Sequence, residues 1–196
     1  MKFKLFNRLV VLRNPIRLIK LPDLYTVGFT NRTEDNYFVP VFDYDNVSYS
    51  VVKEDADFLQ KNFNVGTLVT IVCNERIIQN DVVGSYHLIG FTKFTFFEIK
   101  MMLEMVRCDE EFKQGYLRNN HRSWVLRIDA KKDFEGNEYK GKPKLKEVLV
   151  AHTIRKANRG IINLIKKIYG VDLQTYFKYM DNNNIVEIDE YLTQKK

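Results

Sequence analysis

Apolar runs of strand period and of helical period alternate along this chain, and that alternation constrains its fold more than any other feature. Residues 24–29 and 37–44 are β-rich runs on either side of the polar segment 31–36, which predicts a hairpin. In 52–63, Val52, Ala56, Leu59 and Phe63 recur at helical spacing and run into the Asn64-Val65-Gly66 turn, so a helix is expected to feed a strand at 68–73. A further strand is expected at 82–91. One long helix should follow over 95–117, with Phe96, Ile99, Leu103 and Val106 on one face, and then a strand at 123–129.

The segment 133–144 holds two glycines, a proline and six charged residues, the composition of an exposed hairpin loop or a flexible excursion, and 148–151 reads as a strand that closes it. Residues 153–169 are helical in pattern, with Ile154, Ile161, Ile165 and Ile168 on one face, Arg155, Arg159 and Lys166 on another, and Gly170 as the stop. A short helix and an edge strand are expected in the remainder. The sum is an α+β domain with an antiparallel or mixed sheet flanked by helices. With 196 residues, 45% of them hydrophobic, the chain supports one sizeable core. We assign 1–170 to one domain and 171–196 to a small C-terminal extension of it.

The charge balance of 31 basic to 25 acidic residues, a net +6, favours a polyanionic partner. Cys73 and Cys108 stand far apart, only three histidines occur and no Cys-x-x-Cys pair exists, so we expect reduced thiols and no structural zinc. Arg8, Arg13, Arg17 and Lys20 break up the apolar N-terminus, which excludes the pattern of a signal peptide or membrane span. The expected setting is cytoplasmic, away from membranes.

Three short segments carry chemistry. In Phe38-Val39-Pro40-Val41-Phe42-Asp43-Tyr44-Asp45, strand alternation puts both carboxylates on one face and Phe42 and Tyr44 on the other. Two adjacent acids repel unless a cation lies between them, and oxygen ligands of this kind suit magnesium or manganese. An ordinary strand end running into a polar turn has the same appearance. In Gly84-Ser85-Tyr86-His87-Leu88-Ile89-Gly90, Ser85 and His87 share a face, where hydroxyl and imidazole can donate to phosphate while the glycines admit a bulky anion. A single strand histidine is more commonly a satisfied core residue, and His121 and His152 are read that way. In Ser123-Trp124-Val125-Leu126-Arg127-Ile128-Asp129, Arg127 and Asp129 face together, and Asp129 can complete a metal site begun by Asp43 and Asp45.

The ordered set of Asp-x-Asp, then Ser-x-His, then an apolar residue followed by Asp resembles the three motifs of the archaeo-eukaryotic primase superfamily. The intervals of roughly forty residues, each holding a helix and further strand, are also similar to that superfamily's catalytic core. The resemblance spans about residues 25–169 and is nearest to the small primase-polymerases of plasmids, viruses and other mobile elements. It implies an RRM-like catalytic core and two-metal nucleotidyl transfer, with Asp43, Asp45 and Asp129 as catalytic metal ligands for magnesium or manganese. It further implies that Ser85 and His87 hold the triphosphate of the incoming nucleotide. From facing and charge alone, Arg127 and Lys131 join them. The implied partners are a DNA template and primer, nucleoside triphosphates and an accessory replication protein such as a helicase.

Between 140 and 167 there are nine basic residues against one acid, Glu147, and Lys142, Lys144, Arg155 and Arg159 in this stretch are candidates for tracking a template backbone. A solvated helix face is the other reading of such a run. Two function classes compete with polymerisation. A non-catalytic nucleic-acid-binding domain would tolerate neutralising Asp43, Asp45 and Asp129, and a metal-dependent nuclease would cut nucleic acid without any nucleotide. The chain has no zinc cluster or accessory module of the kind that self-priming members carry. That departure counts against priming by this chain alone and leaves extension of a primer, or priming with a partner's help, open.

Overall fold

A computed structural model of the chain describes residues 2–5, 8–11, 17–20, 28–33, 35–118, 125–127, 131–132, 138–140, 142–151, 157–170 and 172–173. Its centre is a four-stranded antiparallel sheet built from β5 (Val41–Ser48), β6 (Leu68–Ile78), β7 (Asp81–Gly90) and β11 (Lys144–Leu149), in the order β11-β6-β7-β5. All three pairings are antiparallel, so among the described residues the sheet is the antiparallel one of the two types left open by the sequence. Strand β6 continues well past Cys73, because Gln79 and Asn80, with φ of 51° and 67°, form a two-residue turn that lets β6 and β7 pair along their full length.

Helix α1 (Tyr49–Phe63) starts directly from β5, capped by Ser48, whose hydroxyl accepts from the Ser50 amide. It ends on Asn64 at φ 51°, the turn expected there. Val52, Ala56 and Leu59 are fully buried, joining Phe42 and Tyr44 in the core. Alternation along β5 thus resolves as read, with Phe42 and Tyr44 inward.

The long helix expected over 95–117 is instead two, α2 (Phe96–Met105) and α3 (Glu110–Arg118). Thr95 opens α2 with a capping box shared with Glu98, and Val106 ends it in extended conformation. The reason for the break is tertiary. The Arg107 amide and Nε donate to Asp55 of α1 at 2.7 and 2.8 Å, and the Asp109 amide donates to the Asp43 carbonyl of β5 at 2.7 Å. Asp109 then caps α3 by accepting from the Phe112 amide. A continuous helix would have to give up all of these bonds, and no helical period in the sequence registers them.

Helix α4 (Arg159–Tyr169) is shorter than the expected 153–169. Asn158 caps it by accepting from the Gly160 and Ile161 amides, and Ala157 is held in a bridge to Thr92, which prevents a helical start any earlier. Gly170 at φ 70° stops it, as expected. Strand β8 (Val125–Arg127) pairs with β4 (Gly28–Thr30) in a separate ribbon, and β9 (Lys131–Lys132) pairs with β10 (Glu138–Lys140). The segment 133–144, read as a loop closed by a strand at 148–151, instead carries β10 within it, and the later strand β11 begins at Lys144 and pairs with β6. At the N-terminus, β1 (Lys2–Leu5), β2 (Arg8–Val11) and β3 (Arg17–Lys20) form an antiparallel meander that hydrophobic patterning did not assign. The C-terminal extension lies outside the described residues beyond Leu173. Among the described residues no helix is long and apolar enough to cross a membrane.

Candidate active site

Asp43 and His87 are directly opposed in the β5–β7 ladder, and His87 Nε2 lies 3.5 Å from Asp43 Oδ1. The first two sequence motifs therefore meet. The Asp43 side chain is 32% exposed and that of His87 only 4%, so a partly open carboxylate sits over a buried imidazole. The same Nε2 lies 3.3 Å from Cys73 Sγ on β6. Thiol and carboxylate thus converge on one ring nitrogen. This differs from a nucleophile relay, in which the base uses one nitrogen for the nucleophile and the other for the orienting acid.

Cys73 reaches that position through a bulge. The β6–β7 register passes from Val72 opposite Tyr86 to Asn74 opposite Ser85, so Cys73 is the extra residue. Sequence patterning took Cys73 only as the end of an apolar run, because a bulge leaves no trace in hydrophobic period. A second irregularity follows Tyr44, where Asn46 adopts φ 55° and the β5–β7 ladder resumes at Val47. Asp45 lies in that interval, exposed, with no hydrogen bond or ion pair among the described residues.

Ser85 is buried, and its amide donates to Asn74 Oδ1 at 3.0 Å. The glycines bracketing this segment do not open it to an anion. A Cβ on Gly84 would lie 2.3 Å from the Asn74 carbonyl oxygen and 2.9 Å from the Tyr86 hydroxyl, and one on Gly90 would press on Leu68 and Pro40 at 3.2 Å. Close packing of neighbouring strands, rather than access, requires glycine at both positions. The expectation drawn from those two residues is corrected accordingly.

Around this centre the supporting contacts are polar and buried. Asp55, 5% exposed, accepts from the Tyr44 hydroxyl as well as from Arg107. Burial, followed by the charge of Asp55, holds the Tyr44 phenol well above its ordinary value. Cys108, in the turn between α2 and α3, is pushed up to about 12, chiefly by burial, with Lys113 opposing and Asp55, Asp109 and Asp43 adding to the rise. Cys108 therefore keeps its proton near neutrality. Asp109, which sequence reasoning did not single out, joins Asp43 through its backbone amide, and its Oδ1 is engaged in capping α3.

Asp129 and Arg155 lie outside the described residues, as do His121 and His152. Arg127 is on β8 opposite Gly28 and Lys131 is on β9, both outside the four-stranded sheet, and their side chains lie outside the description. Lys142, Lys144 and Arg159 are exposed. Lys144 opens β11, at the edge of the sheet opposite β5, so three strand spacings, about 14 Å, separate its strand from that of Asp43. Lys146 is ion-paired with Glu75 and Lys166 with Asp172. Among the described residues no group of three or more His, Cys, Asp or Glu side chains is gathered as a metal ion would require. Comparison with family models, curated proteins and solved structures finds no match for the chain.

Proposed function

We propose that this protein is a template-directed nucleotidyltransferase of the primase-polymerase type, adding nucleotides to a nucleic-acid 3′-end. The observation that carries the reading is the pairing of Asp43 with His87 on adjacent strands, which joins the acid motif to the Ser-x-His motif. Support also comes from chain order. The succession β5-α1-β6-β7-α2, with β7 between β5 and β6, is in keeping with an RRM-like core, although the fourth strand, β11, pairs with β6 and not with β5.

In this reading Asp43 and Asp45, with Asp129, hold magnesium or manganese. Their hard oxygen donors suit either ion, and Asp45 presents its carboxylate to solvent with no partner among the described residues. The ions supply activation of the attacking 3′-hydroxyl and charge neutralisation at the departing pyrophosphate. His87 and Ser85 hold triphosphate oxygens, with Arg127 and Lys131 as additional cations. His87 meets the surface through Asp43 and Cys73, the partly exposed side chains in contact with it. Exposed Lys142, Lys144 and Arg159, together with Arg155, neutralise template phosphates, in keeping with the net charge of +6. A helicase or similar replication protein would be the accessory partner, and the setting intracellular.

The test is extension of a labelled primer on a DNA template with magnesium or manganese and either deoxy- or ribonucleotides. The native chain should extend it, and Asp43→Ala combined with Asp45→Ala should abolish extension. Template binding without extension, unchanged by the double substitution, would replace the reading with a non-catalytic binding domain. Cleavage without nucleotide would replace it with a nuclease.

A further inference from the structure

Helix α2 carries large apolar side chains on both of its sides. Ile99, Met102 and Leu103 face the core and are buried. Phe97, Met101 and Met105 recur at every fourth position on the opposite side, forming one ridge of the helix surface, and are 67%, 44% and 61% exposed. Tyr37, itself exposed, widens the ridge at its N-terminal end, where it lines an open groove with Phe96, Phe97 and Lys100. Single exposed apolar residues are ordinary, but a continuous ridge of large ones marks a contact surface.

The charges beside the ridge decide what fits it. Lys100 and Glu104 lie one turn apart along one flank, both partly exposed, with Nζ and Oε1 at 3.9 Å, a loose pair. A polyanion would meet Glu104 as readily as Lys100, so the ridge does not extend a phosphate-binding surface. The pattern is instead self-complementary. When a second α2 lies antiparallel on the first, about a two-fold axis at the level of Met101 and Met102, each flank meets its own copy in reverse. Lys100 then comes beside the partner subunit's Glu104, and Glu104 beside the partner subunit's Lys100. The same axis sets Phe97 at the level of the partner subunit's Met105, a favourable pairing of ring and thioether.

We propose that the exposed face of α2 is a docking surface for a second copy of this chain, packed antiparallel through Phe97, Met101 and Met105 and held in register by reciprocal Lys100–Glu104 pairs. The helix is only about 15 Å long, so the contact covers less than the roughly 800 Å² per partner of a standard interface. Association is accordingly weak and reversible, with a Kd of about 10–100 μM. The proposal is independent of the nucleotidyl-transfer reading, since it uses none of the residues assigned to that site.

The experiment is sedimentation equilibrium of the full chain over about 5 to 500 μM, a range that brackets such a Kd. The average mass should rise from that of one chain toward that of two. Lys100→Glu and Glu104→Lys, made singly, set like charges together at two symmetry-related points and should each weaken association by at least about fivefold. Combining them restores the reciprocal pairs and should return the Kd to within about twofold of the native value. Met101→Glu, a change at an exposed position, brings two carboxylates together at the axis and should abolish association. The mass of one chain at every concentration overturns the proposal and leaves the ridge to a different protein. Association that survives Met101→Glu, or a combined exchange no better than the single ones, overturns it as well.

Discussion

Asp43 and His87 stand directly opposite one another on neighbouring strands, Oδ1 to Nε2 at 3.5 Å, with the carboxylate partly open and the imidazole buried beneath it. Under the proposed nucleotidyl transfer these two side chains would carry different parts of the reaction. Asp43→Asn should lower kcat by on the order of a hundredfold, with the KM for nucleotide changed by less than about threefold. His87→Gln, which retains a polar side chain at a buried position, should chiefly raise that KM, by about tenfold. Steady-state extension kinetics separate the two. A reversed pattern, or equal loss in both parameters for both variants, would contradict the division of roles.

The turn between α2 and α3 depends on Asp55, which accepts from the Arg107 amide, the Arg107 guanidinium and the Tyr44 hydroxyl. Asp55→Ala leaves a buried phenol and an amide without their acceptor and should cost about 2–4 kcal/mol in urea unfolding. Because the same turn anchors on the Asp43 carbonyl, the variant should also lose extension activity at temperatures where it remains folded. A stability change below about 0.5 kcal/mol would show that the helix break is set elsewhere.

Gly84 is required by its neighbours. Gly84→Ala forces a methyl group against the Asn74 carbonyl, a backbone atom in β6 that cannot swing aside, and should destabilise the fold by about 2 kcal/mol or more. Guanidinium titration with an unchanged midpoint would show that the strands separate more readily than this packing implies.

Alkali should unfold the chain ahead of general deprotonation. Burial raises Cys108 to about 12 and holds the Tyr44, Tyr49 and Tyr86 phenols above their ordinary values. Each group is neutral when protonated, so above about pH 9 the unfolded chain binds fewer protons than the folded one. Stability is complete below the unfolded values and declines as pH rises toward the folded ones, by up to about 1.4 kcal/mol per pH unit for each of the buried Tyr44 and Cys108, and by less for Tyr49 and Tyr86, which lie nearer solvent. The urea midpoint should therefore fall steadily from pH 8.5 to 11, about the span over which these groups diverge, and Cys108→Ala should lose less across that interval. A flat midpoint would show that these groups ionise without unfolding.

Much of the scaffold was legible because its signals are local. Phe42 and Tyr44 alternate with Asp43 and Asp45, and the pleat turns that alternation into an inner and an outer set. Val52, Ala56 and Leu59 recur at helical spacing and are buried, and Asn64 and Gly170, residue types that tolerate left-handed backbone, stop their helices in that conformation. The acid and histidine motifs could be singled out one by one from residue type and spacing. Strand register decided that Asp43 and His87 are neighbours, and register is a property of two strands together.

What sequence could not supply arises where distant segments compete with a local preference. Residues 95–117 have a continuous helical period, yet three hydrogen bonds from Arg107 and Asp109 to Asp55 and Asp43 break it into α2 and α3. Cys73 belongs to an apolar run, yet one extra residue in β6 turns its sulfur onto His87. Gly84 looks like an opening for an anion and is in fact a contact with the Asn74 carbonyl. The sequence by itself determined the periods, the helix stops and the candidate chemistry, because each depends on residues within a turn or a pleat of one another. Only the tertiary structure decided which of those residues meet, because hydrogen bonds and packing between segments far apart in the chain outweigh a local preference of a few tenths of a kcal/mol per residue, roughly.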